Sequence, residues 1–172
     1  YNSKKLDLSS IKIIASTGSP LAEESFKYVY ENIKQDVHLA SIAGGTDLVG
    51  CLVLGNLYAN VHKGEIQGQS LGIDVDVFTD EGKSTKDGDK GELVVKKPFP
   101  SMPVKFWGDN DGQKYFKAYF TRFKNIWHHG DFVERTSNNG FILRGRSDST
   151  LNPGGVRIGT SEIYQQVEDI EF

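Results

Sequence analysis

Apolar positions recur along this chain with two different periods, and the change between them divides it. Residues 11–15 are a short apolar run rich in β-branched side chains, followed by Ser16-Thr17-Gly18-Ser19 and Pro20. The run reads as a buried strand and the polar stretch as a loop leading into a helix. Ser19 suits the N-cap, Pro20 the first helical position, and Glu23 and Glu24 the first turn, where the helix dipole favours carboxylates. Phe26, Val29, Tyr30 and Ile33 then form a stripe at i, i+3, i+4 and i+7. A second strand over 37–42 leads into Gly44-Gly45-Thr46-Asp47. Strand, helix and strand at this spacing predict a βαβ-like unit with a polar, glycine-containing loop after each strand, the usual ligand position in open α/β sheets.

After about residue 60 the period shortens. Ile73, Val75 and Val77 alternate with Asp74 and Asp76, which predicts a half-buried strand with one wet face. Turn chemistry at 80–82 and 86–89 precedes a further strand over 92–96. Tyr115, Tyr119 and Phe123 stand at i, i+4 and i+8, so the spacing predicts an amphipathic helix over 113–124. Short strands follow over 126–128, 132–135 and 141–143, the last two joined by the turn Ser137-Asn138-Asn139-Gly140. This half reads as antiparallel β structure. Ile163, Val167 and Ile170 mark a helix that runs to the last residues. That apolar face, together with the absence of an initiator Met, leads us to expect an internal piece of a longer protein.

Composition narrows the function. Twenty basic and 23 acidic residues give a net charge of −3, without the clustered cationic excess of a nucleic-acid surface. No apolar run has the length of a membrane span, and no signal segment or glycosylation sequon is present. The single Cys51 cannot form an internal disulfide, which favours a reducing, cytosolic setting. Nineteen glycines in 172 residues exceed the usual usage of about 7%, so many backbone positions here need special conformations.

Gly45 and Gly50 have the spacing of a phosphate loop, but Cys51 and Leu52 replace its Lys and hydroxyl residue, so this is not a Walker loop. The dinucleotide fingerprint is missing too. His128 and His129 are adjacent and would face opposite sides of a strand, which argues against joint metal ligation and for two structural imidazoles. What remains is a set of polar residues in glycine-containing loops: 17–20, 44–47, 129–131, 145–148 and 154–162. Singly each is an ordinary turn. Together they supply amides, hydroxyls, two carboxylates and two guanidiniums, the ingredients for holding a ribose and a phosphate chain with a divalent metal.

The order and type of these segments resemble a known family. Gly145-Arg146-Ser147-Asp148, followed by Gly155-x-Arg157 and Glu162-Ile163, is similar to the hinge signature of the adenylate-forming acyl-CoA synthetases. Trp127 to Asp131 resembles their aromatic-x-T-G-D motif, Gly91-Glu92-Leu93 their G-E-L strand, and Gly44 to Asp47 with Gly50 their T-E-x-x-G segment. The resemblance implies an α/β adenylate-forming fold. Residues 1–60 would belong to an α/β sheet subdomain of the large N-terminal domain and 61–147 to its antiparallel β-rich subdomain. Residues 148–172 would be the hinge and the truncated start of a small C-terminal domain.

It further implies a ligase that activates a carboxylic acid with ATP and passes the acyl group to CoA. Gly18, Ser19 and Pro20 would contact adenine, Asp131 the ribose hydroxyls, and Arg146 the ribose and α-phosphate. Thr46 would donate to a phosphate oxygen, and Arg157 would offset phosphate charge. Asp47 would ligate Mg2+ where the family usually has Glu, and His129 stands where it usually has Thr. Asp148 would be the hinge, and Gly155 would line the pantetheine channel. Gly44 and Gly45 would border the acyl pocket. Gly44 replaces a Trp of acetyl-specific relatives, which implies room for a longer acid such as acetoacetate. The partners implied are small molecules, with no nucleic acid or membrane. A serine-, threonine- and glycine-rich phosphate loop and a catalytic Lys of this family do not occur in these residues, so the 172-residue piece alone is expected not to catalyse adenylation.

Overall fold

A computed structural model describes residues 6–151, 153 and 157–168. Strand β1 (Ile13–Ser16) pairs in parallel with β2 (His38–Ser41), and α1 (Glu23–Tyr28) with its π-helical continuation Val29–Ile33 connects them. The βαβ expectation is met, with two differences. Ile13 is 53% exposed, so β1 is not a buried strand. Helix α1 starts three residues after Pro20, because the backbone is still extended at Ala22, and Ser19 makes no cap. Glu23 and Glu24 do occupy the first turn, and Phe26 is buried.

The segment after β2 is a hairpin where the sequence predicted a loop. β3 (Ala43–Gly45) and β4 (Gly50–Leu54) are antiparallel, with β5 (Gly68–Gln69) on the outer edge of β4. Gly44 and Gly45 therefore lie in a strand, and only residues 46–49 form the turn. A Cβ on Gly44 would stand 2.1 Å from the Gly50 carbonyl oxygen, so glycine is what allows β3 to approach β4 this closely. Fully buried Leu48 pins the turn to the core, leaving Thr46 and Asp47 exposed at its tip.

The second half is an antiparallel meander in the order β6 (Val75–Phe78), β7 (Lys90–Val95), β8 (Trp127–Arg135) and β9 (Phe141–Arg146). One face joins the hairpin sheet in a core of Leu52, Val53, Ile66, Val77, Leu93, Trp127, Val133 and Phe141. The other face is covered as well, by Phe123 over Phe78 and Val94. The wet face predicted for β6 is therefore closed: Asp76 is buried between Lys96 and Arg135 and accepts from Ser84 Oγ at 2.7 Å.

Helix α2 (Gln113–Tyr119) is shorter than predicted. Asp109 accepts from the amides of Lys114 and Tyr115 at 3.1 and 2.8 Å and so caps its start. The chain leaves the helix at Phe120 and turns at Asn125, which has a φ of 59°, delivering Phe123 to the second core. The strands predicted over 126–128 and 132–135 are one strand with a bulge, since the register against β7 shifts between Glu92 and Val94. The bulge centres on Gly130, whose φ is +84°. A 3-10 turn (Ser147–Ser149) and α3 (Thr160–Glu168) complete the described chain. Within α3, Val167 is exposed, while Ile170 lies outside the described residues. No helix among the described residues is long and apolar enough to cross a membrane.

Candidate functional site

The β3–β4 turn, the end of α2, the β8 bulge and the turn after β9 enclose a cavity of about 590 Å³. Gly44, Gly45, Asp47, His129, Arg146 and Asp148 all line it. Residues far apart in sequence thus meet because the hairpin and the meander share one core.

Arg146 bridges two strands. Its Nη1 donates to the His129 carbonyl and to Asp131 Oδ1, both at 3.1 Å. Asp131 is buried, whereas about half of the Arg146 side chain remains open to the cavity. The pair thus holds a guanidinium at the cavity wall with donors to spare. Gly130 permits this, since a Cβ there would stand 2.6 Å from Arg146 Nη2.

Asp47 is placed by Tyr119, whose hydroxyl donates to Oδ2, while Oδ1 accepts from the Leu48 amide at 3.2 Å. Burial and the Asp47 carboxylate together push the Tyr119 phenol well above its ordinary range, so it stays protonated and donating. The Tyr119 ring stacks on Trp127 at 3.7 Å. The Trp127 indole N–H in turn donates to His129 Nδ1 at 3.3 Å. An indole can only donate, so His129 carries its own proton on Nε2, 3.6 Å from Asp131. His128 points to other partners, Glu92 and the Phe123 ring, so the two histidines do not converge on one ion.

Behind the cavity lies Glu92, fully buried in β7. His128 Nε2 donates to it at 2.8 Å, Arg157 Nη1 approaches at 2.5 Å and Arg122 at 3.0 Å, and the Ser147 hydroxyl donates as well. Burial acts to raise its pKa, but the hydrogen bonds from His128, Ser147 and Arg157 and the charge of Arg122 outweigh it and hold the carboxyl down to about 2. A depressed pKa contributes stability that is complete above the ordinary value of 4.5 and lost as pH falls toward about 2. That interval corresponds to about 3 kcal/mol. The stability gap between wild type and Glu92→Gln, followed by urea unfolding, should be largest above about pH 5 and shrink as pH falls from there toward 2.

The other expected residues are distributed differently. Thr46 sits at the turn beside Asp47, its carbonyl accepting from the Val49 amide. Ser19 and Pro20 line a second cavity of about 570 Å³ with Ser41, Ile66 and Arg144, apart from the one that holds Arg146. Gly18, with a φ of +93°, precedes them. Arg157 is engaged by Glu92, and Gly155 lies outside the described residues. Tyr119 and Arg122 had no functional reading in the sequence. A carboxylate within the apolar run 91–95 was the available signal for Glu92, since a buried charge demands partners.

Among the described residues no group of three or more His, Cys, Asp or Glu is placed to hold a metal ion. A protein-built metal cage is therefore not offered. One exposed carboxylate, Asp47, fits a Mg2+ held mainly by phosphates and water.

No protein-family model matches the chain. It is 62% identical over 165 residues to the acetoacetyl-coenzyme A synthetase of Rhizobium meliloti, covering 96% of this chain and 25% of that protein. It superposes on the acetoacetyl-CoA synthetase of Streptomyces lividans with a TM-score of 0.87 at 40% identity, over 98% of this chain and 26% of that one. In sequence and in fold the chain is thus similar to a segment of acetoacetyl-CoA synthetases, which bears out the resemblance to the adenylate-forming acyl-CoA synthetases. An anthranilate CoA ligase in complex with anthranoyl-AMP shares the fold at a TM-score of 0.76 and 18% identity, over 94% of this chain and 29% of that one. The chain spans about a quarter of the length of the curated relatives it matches. The mixed α/β architecture with antiparallel sheets is thus the fold that these neighbours share with this segment.

Proposed function

We propose that the protein containing this chain is an acid–thiol ligase that joins acetoacetate to CoA with ATP. One carboxylate oxygen of the acid attacks the α-phosphorus, the bond to the β-phosphate breaks, and pyrophosphate leaves. The CoA sulfur then attacks the acyl carbon of acetoacetyl-AMP, loses its proton, and AMP departs. The observation that carries this reading is the single cavity in which Gly44, Gly45, Asp47, Arg146 and Asp148 meet, with Asp131 behind Arg146.

In this reading Asp131 accepts from the ribose hydroxyls, for which an ionised carboxylate with two oxygens is suited. Arg146 supplies donors to ribose and α-phosphate, Thr46 a hydroxyl to a phosphate oxygen, and Arg157 a further positive charge. Gly18, Ser19 and Pro20 border the adenine, Gly155 the pantetheine arm, and Asp148 is the hinge between large and small domains. Asp47 would share in holding Mg2+, which supplies charge neutralisation for the phosphates. The absence of a side chain at Gly44 leaves room on the acyl side, and the close approach of β4 enforces that absence. Supporting groups outside these 172 residues complete the site, so the piece by itself is expected to be inactive.

The test is thioester formation by the protein with its encoded flanks, supplied in turn with acetoacetate, acetate, propionate and a medium-chain acid. Acetoacetate should exceed acetate in kcat/KM by about tenfold or more. A preference for propionate or the medium-chain acid would reassign the substrate within the same class. Nucleotide binding without turnover of any acid would instead indicate a non-catalytic module.

A further inference from the structure

Glu92 gathers groups from four separate parts of the chain: Arg122 after α2, His128 on β8, Ser147 at the turn after β9, and Arg157 beyond Asp148. Arg157 is the member whose placement matters for function. Its Nη1 meets Glu92 Oε1 at 2.5 Å, and its Nη2 donates to the Ser147 carbonyl at 3.3 Å and to Thr150 Oγ1 at 3.2 Å. Its Nε donates to Thr150 Oγ1 at 3.3 Å, and the guanidinium lies 4.2 Å over the Phe132 ring. These contacts occupy the fork from which Arg157 would hold a phosphate, and the side chain does not line the cavity that contains Arg146 and Asp47. Reaching an anion there requires giving up Glu92.

The pair also ties two parts of the chain together across Asp148. Glu92 belongs to the meander, whereas Arg157 follows the 3-10 turn. Leu151 and Ile158 exchange backbone hydrogen bonds at 2.9 Å in each direction, so the chain on either side of residues 152–157 is clamped together next to Arg157. Removing the partly buried guanidinium would leave the fully buried Glu92 carboxylate without its closest cation.

We propose that Glu92 is a positioning residue that competes with nucleotide phosphate for Arg157. When it holds Arg157, it fixes the chain beyond Asp148 in the orientation described here. This rests on the ATP-dependent reading above. The described state, with Arg157 withdrawn from the cavity, belongs to the stage after pyrophosphate has left, and its loss falls on the second half-reaction.

The experiment uses the protein with its encoded flanks and measures both halves: acetoacetate-dependent ATP–pyrophosphate exchange and CoA-dependent thioester formation. Glu92→Gln keeps the shape and removes the charge. Thioester formation should fall about tenfold more than exchange, a coupling of ordinary size between two states, without a rise in KM for ATP. Glu92→Asp should recover part of the difference. Ser147→Ala removes only one donor to Glu92, so it serves if Glu92→Gln does not fold, and it should move the ratio in the same direction by a smaller factor. Equal losses in both halves, no loss in either, or a greater loss in exchange would overturn the proposal. Wild-type protein inactive in both halves would remove the functional reading with it, whereas active wild type with an unchanged ratio removes this inference alone.

Discussion

Replacing Asp131 by Ala in the protein with its encoded flanks is expected to lower acetoacetate-dependent AMP formation about a hundredfold or more. Two hydrogen bonds from ribose hydroxyls to a charged carboxylate are each worth about 1.5–3 kcal/mol, and both depend on this side chain. The loss should exceed that for a surface residue because Asp131 is buried and held by Arg146 at 3.1 Å, so its oxygens are oriented before the ligand arrives. Folding should survive, since the Arg146 left without its partner is half exposed and can turn to water. Asp131→Asn, which keeps the shape and one acceptor, should lie between the two. An unchanged AMP yield would remove the ribose role and favour a binding module.

The second large effect is on stability. Trp127 is 1% exposed and touches both the core and the site. It meets Phe99 edge-on at 5.6 Å and stacks flat on Tyr119, while its N–H reaches His129. Truncating a buried indole costs about 3–5 kcal/mol. Trp127→Ala should therefore lower Tm by several degrees or more, read by thermal unfolding. It should also free Tyr119, and with it the donor that orients Asp47, so residual activity should fall further than the lost folded fraction explains. Trp127→Phe should restore most of the stability. A Trp127→Ala loss below about 1 kcal/mol would mean that the site is not organised through this stack.

How much of this was legible in sequence depends on whether a signal was local. The parallel β1–β2 pair and the meander follow from runs of β-branched residues and period-two alternation, and both are present. The glycines of the β3–β4 hairpin misled, because glycine signals a loop to local reasoning, whereas at Gly44 it answers the approach of a strand that only the fold brings near. The bulge at Gly130 reads locally as a strand break for the same reason. Asp76 reads as part of a wet face, since no local pattern reveals that Lys96 and Arg135 will close over it.

The candidate site divides the same way. Asp47, Arg146 and Asp148 carry chemistry that is visible in residue type, and the cavity brings them together. Tyr119 reads as one position of an apolar stripe, and only its stacking on Trp127 turns its hydroxyl toward Asp47. Ser19 and Pro20 are conspicuous in sequence yet line a different cavity. Proximity across the hairpin and the meander is a property of the shared core, and no spacing along the chain encodes it.

The measurement that bears most directly on this account is ATP–pyrophosphate exchange by the protein with its encoded flanks, in the presence and absence of acetoacetate. Exchange should require acetoacetate and be largely lost in Asp131→Ala. Exchange that ignores the acid, or none with any carboxylic acid while ATP still binds, would contradict it.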